Sequence, residues 1–184
     1  MKQHLLIIDM QNDFITGSLR NEDGIKIIPK IKEQLESFRT RAENGEEANI
    51  IYTRDTHAKD YLQTAEGKKL PVEHCIKGTQ GWEIVPELEP TEDGFIHGYE
   101  LVVDKPTFGY TRWKDVATVR DGDVFHVCGV CTDICVVSNC LILKAVFPNS
   151  EIIVHANSCA GLTPEKHKAA LEVLSSCQCV VVED

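Results

Sequence analysis

Cys135 lies in the stretch Val127-Cys128-Gly129-Val130-Cys131-Thr132-Asp133-Ile134-Cys135-Val136-Val137, which reads as an apolar strand, a tight turn and the first turn of a helix. A thiol in a first helical turn faces the positive end of the helix dipole and backbone N–H groups that lack intrahelical partners. Both favour the thiolate, the nucleophilic form, and the same N–H groups offer an oxyanion site. Read by itself, Cys135 is more simply a small buried apolar residue. The surrounding residues favour the chemical reading. Asp9 closes Leu5-Leu6-Ile7-Ile8-Asp9. A carboxylate ending a buried strand is partly desolvated, which raises its pKa and suits it to shuttle protons; capping the turn that follows is the alternative. Lys105 follows Val102-Val103-Asp104. A lysine there is ordinarily a solvated charge, but the topology can bring its ammonium between Asp9 and Cys135. There it would keep Asp9 charged and stabilise a thiolate.

Asp55, His57 and His74 form a second group, in Arg54-Asp55-Thr56-His57 and Pro71-Val72-Glu73-His74-Cys75. Two imidazoles and a carboxylate suit zinc, iron or manganese. Asp55 and His57 are two apart and share a face in an extended segment, and three protein ligands leave a position for water. The spacing is also compatible with histidines scattered on a solvated loop. Phe14, Phe108, Tyr110, Trp82 and Trp113 are candidate walls of an apolar pocket.

The elements that must position these groups alternate between strand and helix. Short apolar runs at 5–9, 49–54, 100–103, 123–129, 151–155 and 177–182 read as strands, and apolar residues at helical spacing place helices at 25–41, 132–146 and 164–175, with a short one at 112–119. Residues 55–98 read as a long irregular loop, and such loops are often functional. This pattern predicts an α/β fold: one domain over residues 1–184, a three-layer α/β/α sandwich around a mostly parallel six-stranded sheet. In such sheets ligands bind at the carboxyl ends of the strands. Asp9, Asp55, Lys105 and the Cys131–Cys135 segment all follow strands on that one edge.

Composition narrows the function classes. The chain has 184 residues, 42% hydrophobic and 26% charged, as in soluble globular proteins. A net charge of −10 disfavours nucleic acid and anionic membrane as partners. No apolar run is long enough to span a bilayer, and the four apolar residues before Asp9 are too few for a signal peptide. The expectation is a cytoplasmic protein whose eight cysteines stay reduced, with Cys128, Cys177 and Cys179 in core or sheet positions. Cys128 and Cys131 have CxxC spacing but no second pair, a weak redox or zinc signal.

Five stretches in order along nearly the whole chain resemble the isochorismatase-like cysteine hydrolases, and within them the nicotinamidases. They are Leu-Ile-Ile-Asp-Met-Gln-Asn-Asp-Phe at 6–14, Asp-Thr-His at 55–57, His-Cys-Ile-Lys-Gly-Thr-Gln-Gly at 74–81, Asp-Lys at 104–105, and Gly-Val-Cys-Thr-Asp-Ile-Cys-Val at 129–136. The resemblance implies a catalytic triad of Asp9, Lys105 and Cys135, a cis peptide between Val130 and Cys131, and an oxyanion hole from the N–H groups of Cys131 and Cys135. It implies a divalent metal, zinc first and iron or manganese next, held by Asp55, His57 and His74, with Glu66 as a fourth ligand. It also implies a substrate pocket that includes Phe14, Leu70 and Phe108, a small-molecule amide substrate, and a homo-oligomer, dimer or tetramer. The leading expectation is hydrolysis of nicotinamide to nicotinate and ammonia through a Cys135 thioester. The alternative is another small amide, such as a carbamoyl or ureido compound. A protein that keeps only the fold is disfavoured because nucleophile, acid, lysine and metal ligands occur together. Two stretches depart from the nicotinamidase pattern. Leu70 stands before Pro71 where many members carry Trp or Phe, and leucine cannot stack on a pyridine ring in the same way. The segment after Lys105 is Pro-Thr-Phe-Gly-Tyr-Thr, in which Phe108 could substitute for the usual aromatic pattern.

Overall fold

A computed structural model describes residues 1–183; residue 184 of the expected 1–184 domain lies outside the described residues. Six strands form one sheet: β1 (Gln3–Ile8), β2 (Ala48–Asp55), β3 (Glu100–Lys105), β4 (Val124–Val130), β5 (Glu151–Ala160) and β6 (Val180–Val182). Their order is β3-β2-β1-β4-β5-β6, and every pairing is parallel. The chain builds outward from β1 in one direction and then, from β4, in the other. The topological switch point therefore lies between β1 and β4, where open parallel sheets leave a crevice outside the strands' carboxyl ends.

Continuous apolar runs make these inner strands because both faces are covered. Alternate residues of β1 serve opposite layers. Leu5 and Ile7 pack with Ile50, Tyr52 and Cys128 beneath one long helix, α2 (Glu22–Glu43), which follows the single turn α1 (Asn12–Ile15) and contributes Ile27, Ile31, Leu35 and Phe38. Leu6 and Ile8 pack with Ile51, Phe125 and Val127 against α4 (Val137–Val146) and α5 (Pro164–Ser176), through Cys140, Leu143 and Leu174. The result is the three-layer sandwich. The side chain of Asn21 caps α2 by accepting the Gly24 N–H at 2.9 Å, and that of Thr163 caps α5 by accepting the Lys166 N–H at 3.2 Å. No helix among the described residues is long and apolar enough to cross a membrane.

The structure corrects several local expectations. The long loop after β2 contains 3₁₀ turns at Tyr61–Gln63, Gln80–Trp82 and Pro86–Leu88, and the short helix α3 (Glu92–His97). The helix expected at 112–119 is a 3₁₀ turn, Trp113–Asp115, followed by tight turns that bury Trp113, Val116 and Val119 at helix-like intervals. β5 runs five residues further than its apolar core, to Ala160. β6 starts at Val180, because Cys177 is the exposed C-cap of α5 and Gln178 takes φ +66°. Cys177 is thus neither core nor sheet. All eight cysteines are free thiols.

The tightest point of the sheet is Gly129, opposite Ile8 in the β1–β4 register, with φ +118°. A Cβ there would lie 2.2 Å from the Ile8 carbonyl oxygen, which is backbone and cannot swing away. Gly129→Ala is expected to destabilise the protein by about 3 kcal/mol or more, from backbone strain plus overpacking; urea denaturation with comparison of midpoints checks this.

Candidate active site

Three strand ends and one turn converge at the switch point. β1 stops at Asp9 because that residue turns to φ +48°, a conformation Asp tolerates. Its N–H donates to both the backbone oxygen and Oγ1 of Thr53, each at 3.2 Å, and Thr53 Oγ1 donates to Asp9 Oδ1 at 2.6 Å. The carboxylate is thereby fixed against the neighbouring strand. Lys105 is the last residue of β3, in register with Asp55, the last of β2. The Lys105 side chain is fully buried. Its Nζ lies 2.6 Å from Asp9 Oδ2, 3.6 Å from Asp55 Oδ1 and 3.7 Å from Cys135 Sγ, and donates to Thr107 O at 3.2 Å.

After β4 the Val130–Cys131 peptide bond is cis. Thr132–Val136 then forms a wide π-type turn that leads directly into α4, with the N–H groups of Ile134 and Val136 both donating to Cys131 O at 3.0 and 3.1 Å. This differs from the ordinary first helical turn expected for Cys135. Asn139, one turn on and fully buried, donates through Nδ2 to Cys135 O at 2.8 Å and to Phe108 O at 3.2 Å, and its Oδ1 accepts the Tyr110 N–H at 2.9 Å. The nucleophile turn and the loop after β3 are therefore one hydrogen-bonded unit.

The electrostatics also differ from the expectation of a pre-formed thiolate. Burial pushes the Cys135 thiol well above its ordinary value, and the Asp9 carboxylate pushes it further, against the opposing pull of Lys105. Loss of water and the nearby carboxylates outweigh the ammonium. Burial likewise raises Asp9, with Lys105 and the Thr53 hydroxyl opposing. Lys105 is held above its usual range: burial works against the ammonium, but Asp9, Cys135 and Asp55 together overcome it. The Lys105 ammonium thus lies within 3.7 Å of Asp9, Asp55 and the Cys135 sulfur, and burial raises both the thiol and the Asp9 carboxyl.

The second group lies alongside. Asp55, His57, Glu66 and His74 each offer one ligand atom, all within 4.8 Å of one another. His57 Nε2 is 2.8 Å from Asp55 Oδ2, and His74 Nε2 is 3.5 Å from Asp55 Oδ2 and 3.8 Å from Glu66 Oε1. The His74 ring is oriented by its Nδ1, 2.8 Å from Val72 O, which turns Nε2 to the cluster. The buried His57 Nε2 has no well-directed hydrogen bond. Imidazoles and carboxylates that converge with a free lone pair fit a divalent cation. Asp55 itself is pulled below the usual carboxylate range despite its burial, by the two imidazoles and Lys105.

Sequence reasoning passed over the residues that hold this cluster in place. Gln11, fully buried, clamps the Asp55 backbone, accepting its N–H at 2.7 Å and donating to its carbonyl at 2.9 Å. Asp13 Oδ2 accepts the N–H of Cys75 at 2.8 Å, next to His74. Tyr61 packs its ring on His57 and His74, with centroids 4.6 and 4.9 Å away, and its hydroxyl donates to Leu70 O at 2.9 Å. Gln11 and Asp13 lie inside the 6–14 stretch, but their partners are 44 and 62 residues away, so only the fold reveals their roles.

A cavity of about 500 Å³ reaches both groups, lined by Cys131 and Cys135 from the nucleophile turn, by Asp55, Glu66 and His74 from the second group, and by Phe14, Leu70 and Phe108; Asp9, Lys105 and His57 do not line it. Leu19, Ile134 and Leu162 complete the apolar lining, and Ser18 and Arg20 stand among the polar residues. Tyr110, Trp82 and Trp113 do not line it. Trp113 is buried in the core against Tyr110, and Trp82 stacks under the Arg54 guanidinium at 3.6 Å. A cavity of similar size, about 520 Å³, lies at the opposite end of the sheet among Glu43, Glu46, Glu47, Asp93 and His97 and contains none of these groups.

A doubly wound parallel sheet with a thiol, a carboxylate and an ammonium at its switch point places the chain among α/β hydrolytic folds. The isochorismatase domain model matches residues 3–183, and the chain belongs to the isochorismatase family of hydrolases. It is 30% identical over 178 residues to an uncharacterized isochorismatase family protein, PncA, of Bacillus subtilis, covering 93% of each chain. It superposes on the crystal structure of nicotinamidase/pyrazinamidase PncA from Bacillus subtilis with TM-score 0.82 and 26% identity, covering 100% of both chains. It is also similar to the pyrazinamidase of Pyrococcus horikoshii in complex with zinc, with TM-score 0.78 and 25% identity over 100% of both chains.

The cluster is expected to bind one divalent cation per chain. Titration with zinc should raise thermal stability, by about 2.7 kcal/mol when free metal is a hundred times its Kd. His74→Ala should abolish both the rise and the bound metal found by elemental analysis.

Proposed function

We propose that this protein is a cysteine amidase that hydrolyses nicotinamide to nicotinate and ammonia. The observation that carries the reading is the convergence of Asp9, Lys105 and Cys135, through contacts of 2.6 and 3.7 Å to one ammonium, with Cys135 lining a cavity that also reaches Asp55, Glu66 and His74. The family match and the nicotinamidase/pyrazinamidase neighbour support it.

In this reading Asp9 takes the Cys135 thiol proton as sulfur bonds to the amide carbon. The N–H groups of Cys131 and Cys135 hold the developing oxyanion. Asp9 then gives that proton to the amide nitrogen, the C–N bond breaks and ammonia leaves, with the acyl group left as a thioester. Water adds to the thioester while Asp9 accepts its proton. The C–S bond breaks, the acid departs, and the thiol recovers its proton from Asp9. Lys105 holds Asp9 and Cys135 in register throughout, so that charge moves between fixed positions. Asp55, His57, His74 and Glu66 would hold a divalent cation, zinc by the precedent of the pyrazinamidase neighbour and iron or manganese by donor chemistry, which supplies a Lewis-acid centre for a lone-pair donor.

One observation favours a second substrate. Leu70, not an aromatic residue, lines the cavity. Stacking on a planar ring then falls to Phe14 and Phe108, and a non-aromatic amide of carbamoyl or ureido type is the alternative.

Two outcomes test the reading. Ammonia release from nicotinamide should fall by about a thousand-fold or more in Cys135→Ala; unchanged release would remove the thiol from the mechanism, and release only from other small amides would select the second substrate. The acid limb of kcat/KM should lie above the ordinary carboxylate range, because burial raises Asp9 and activity disappears as falling pH protonates it. Thr53→Val removes a hydrogen bond that favours the ionised form, so it should move that limb to still higher pH.

A further inference from the structure

Against the nucleophile turn, outside the cavity lining, stands a histidine that neither the triad nor the metal cluster uses. His167 lies in the first turns of α5, and its Nδ1 is 2.7 Å from Thr132 Oγ1. Thr132 is fully buried and follows directly on the cis-linked Cys131. It therefore sits between the two residues whose N–H groups the proposed reaction uses, and its hydroxyl cannot turn to water instead.

The segment that carries His167 is itself fastened. Gly161 O accepts from Asn21 Nδ2 at 3.0 Å, and Leu162 N–H donates to Asp133 Oδ1 at 2.9 Å. Gly161 has no room for a side chain, since a Cβ would sit 2.9 Å from Asp133 Oδ1 and from the His167 backbone nitrogen. The β5–α5 connection thus presses flat against the turn, and the imidazole is its one side-chain hydrogen bond to Thr132. The backbone bonds of the turn fix its closure. Beside the Asp133–Leu162 bond, the His167 bond ties α5 to the residue between Cys131 and Cys135.

We propose that His167 is a positioning residue, which acts through the Thr132 hydroxyl to hold the Cys131–Cys135 turn in its reactive orientation. The inference rests on reading Cys135 as the nucleophile. A group displaced by a fraction of an ångström loses rate without losing the ability to bind substrate.

The test uses the full chain and two readouts. The first is the alkylation rate of Cys135 by iodoacetamide, located by peptide mass spectrometry, which needs no substrate. The second is the steady-state release of ammonia. His167→Ala and Thr132→Val are expected to change the Cys135 alkylation rate by about ten-fold and to lower kcat by a similar factor with KM within about two-fold. His167→Asn, which can place a hydrogen-bonding atom near the position of Nδ1, is expected to restore most of both. The proposal is overturned if Cys135 reacts at the wild-type rate in both His167→Ala and Thr132→Val, or if His167→Asn is no better than His167→Ala at equal thermal stability, since a merely structural role gives that pattern. If wild-type protein releases no ammonia from any amide while the alkylation pattern holds, the amidase reading fails and the positioning role stands.

Discussion

The site is organised around a buried ammonium. Lys105 has no exposure to water, and a lone charge in such a place costs many kcal/mol unless it is compensated. Asp9 and Asp55 provide that compensation, at 2.6 and 3.6 Å, and the Cys135 sulfur accepts a further hydrogen bond at 3.7 Å. Each partner comes from a different strand end, so the ammonium can be satisfied only when β1, β2, β3 and the turn after β4 are all in register. The parallel sheet makes this arithmetic possible, because it brings every carboxyl end to the same edge.

That constraint accounts for the departure from the simple helix-dipole picture of Cys135. The thiol is 6% exposed, and the loss of water raises its pKa more than nearby positive charge lowers it. Burial raises the thiol and the Asp9 carboxyl together, with the Lys105 ammonium 2.6 Å from one and 3.7 Å from the other.

Much of the architecture was legible in the sequence. The runs at 5–9, 49–54 and 123–129 are apolar because both faces of those strands are covered, and they correspond to β1, β2 and β4. Legibility failed where burial and periodicity part company. β5 extends through Asn157 and Ser158, whose polarity hides a strand. Trp113, Val116 and Val119 mimic a helix because successive tight turns also return every third residue to the core. Of the site, the reactive types at strand ends could be read directly. Gln11, Asp13 and Asn139 could not, because each acts on backbone distant in sequence, and nothing local marks a side chain for such a bond.

The placement of Lys105 has a consequence for how the molecule comes apart. β3 is an outer strand with a neighbour on one side only, whereas β1 and β4 are flanked on both. Outer strands fray at lower free energy than inner ones. Fraying at that margin would withdraw the cation first and leave the sulfur and the aspartate in a sheet that is otherwise intact. Gentle denaturation should therefore take this cluster apart well before the molecule melts, with secondary structure still largely preserved.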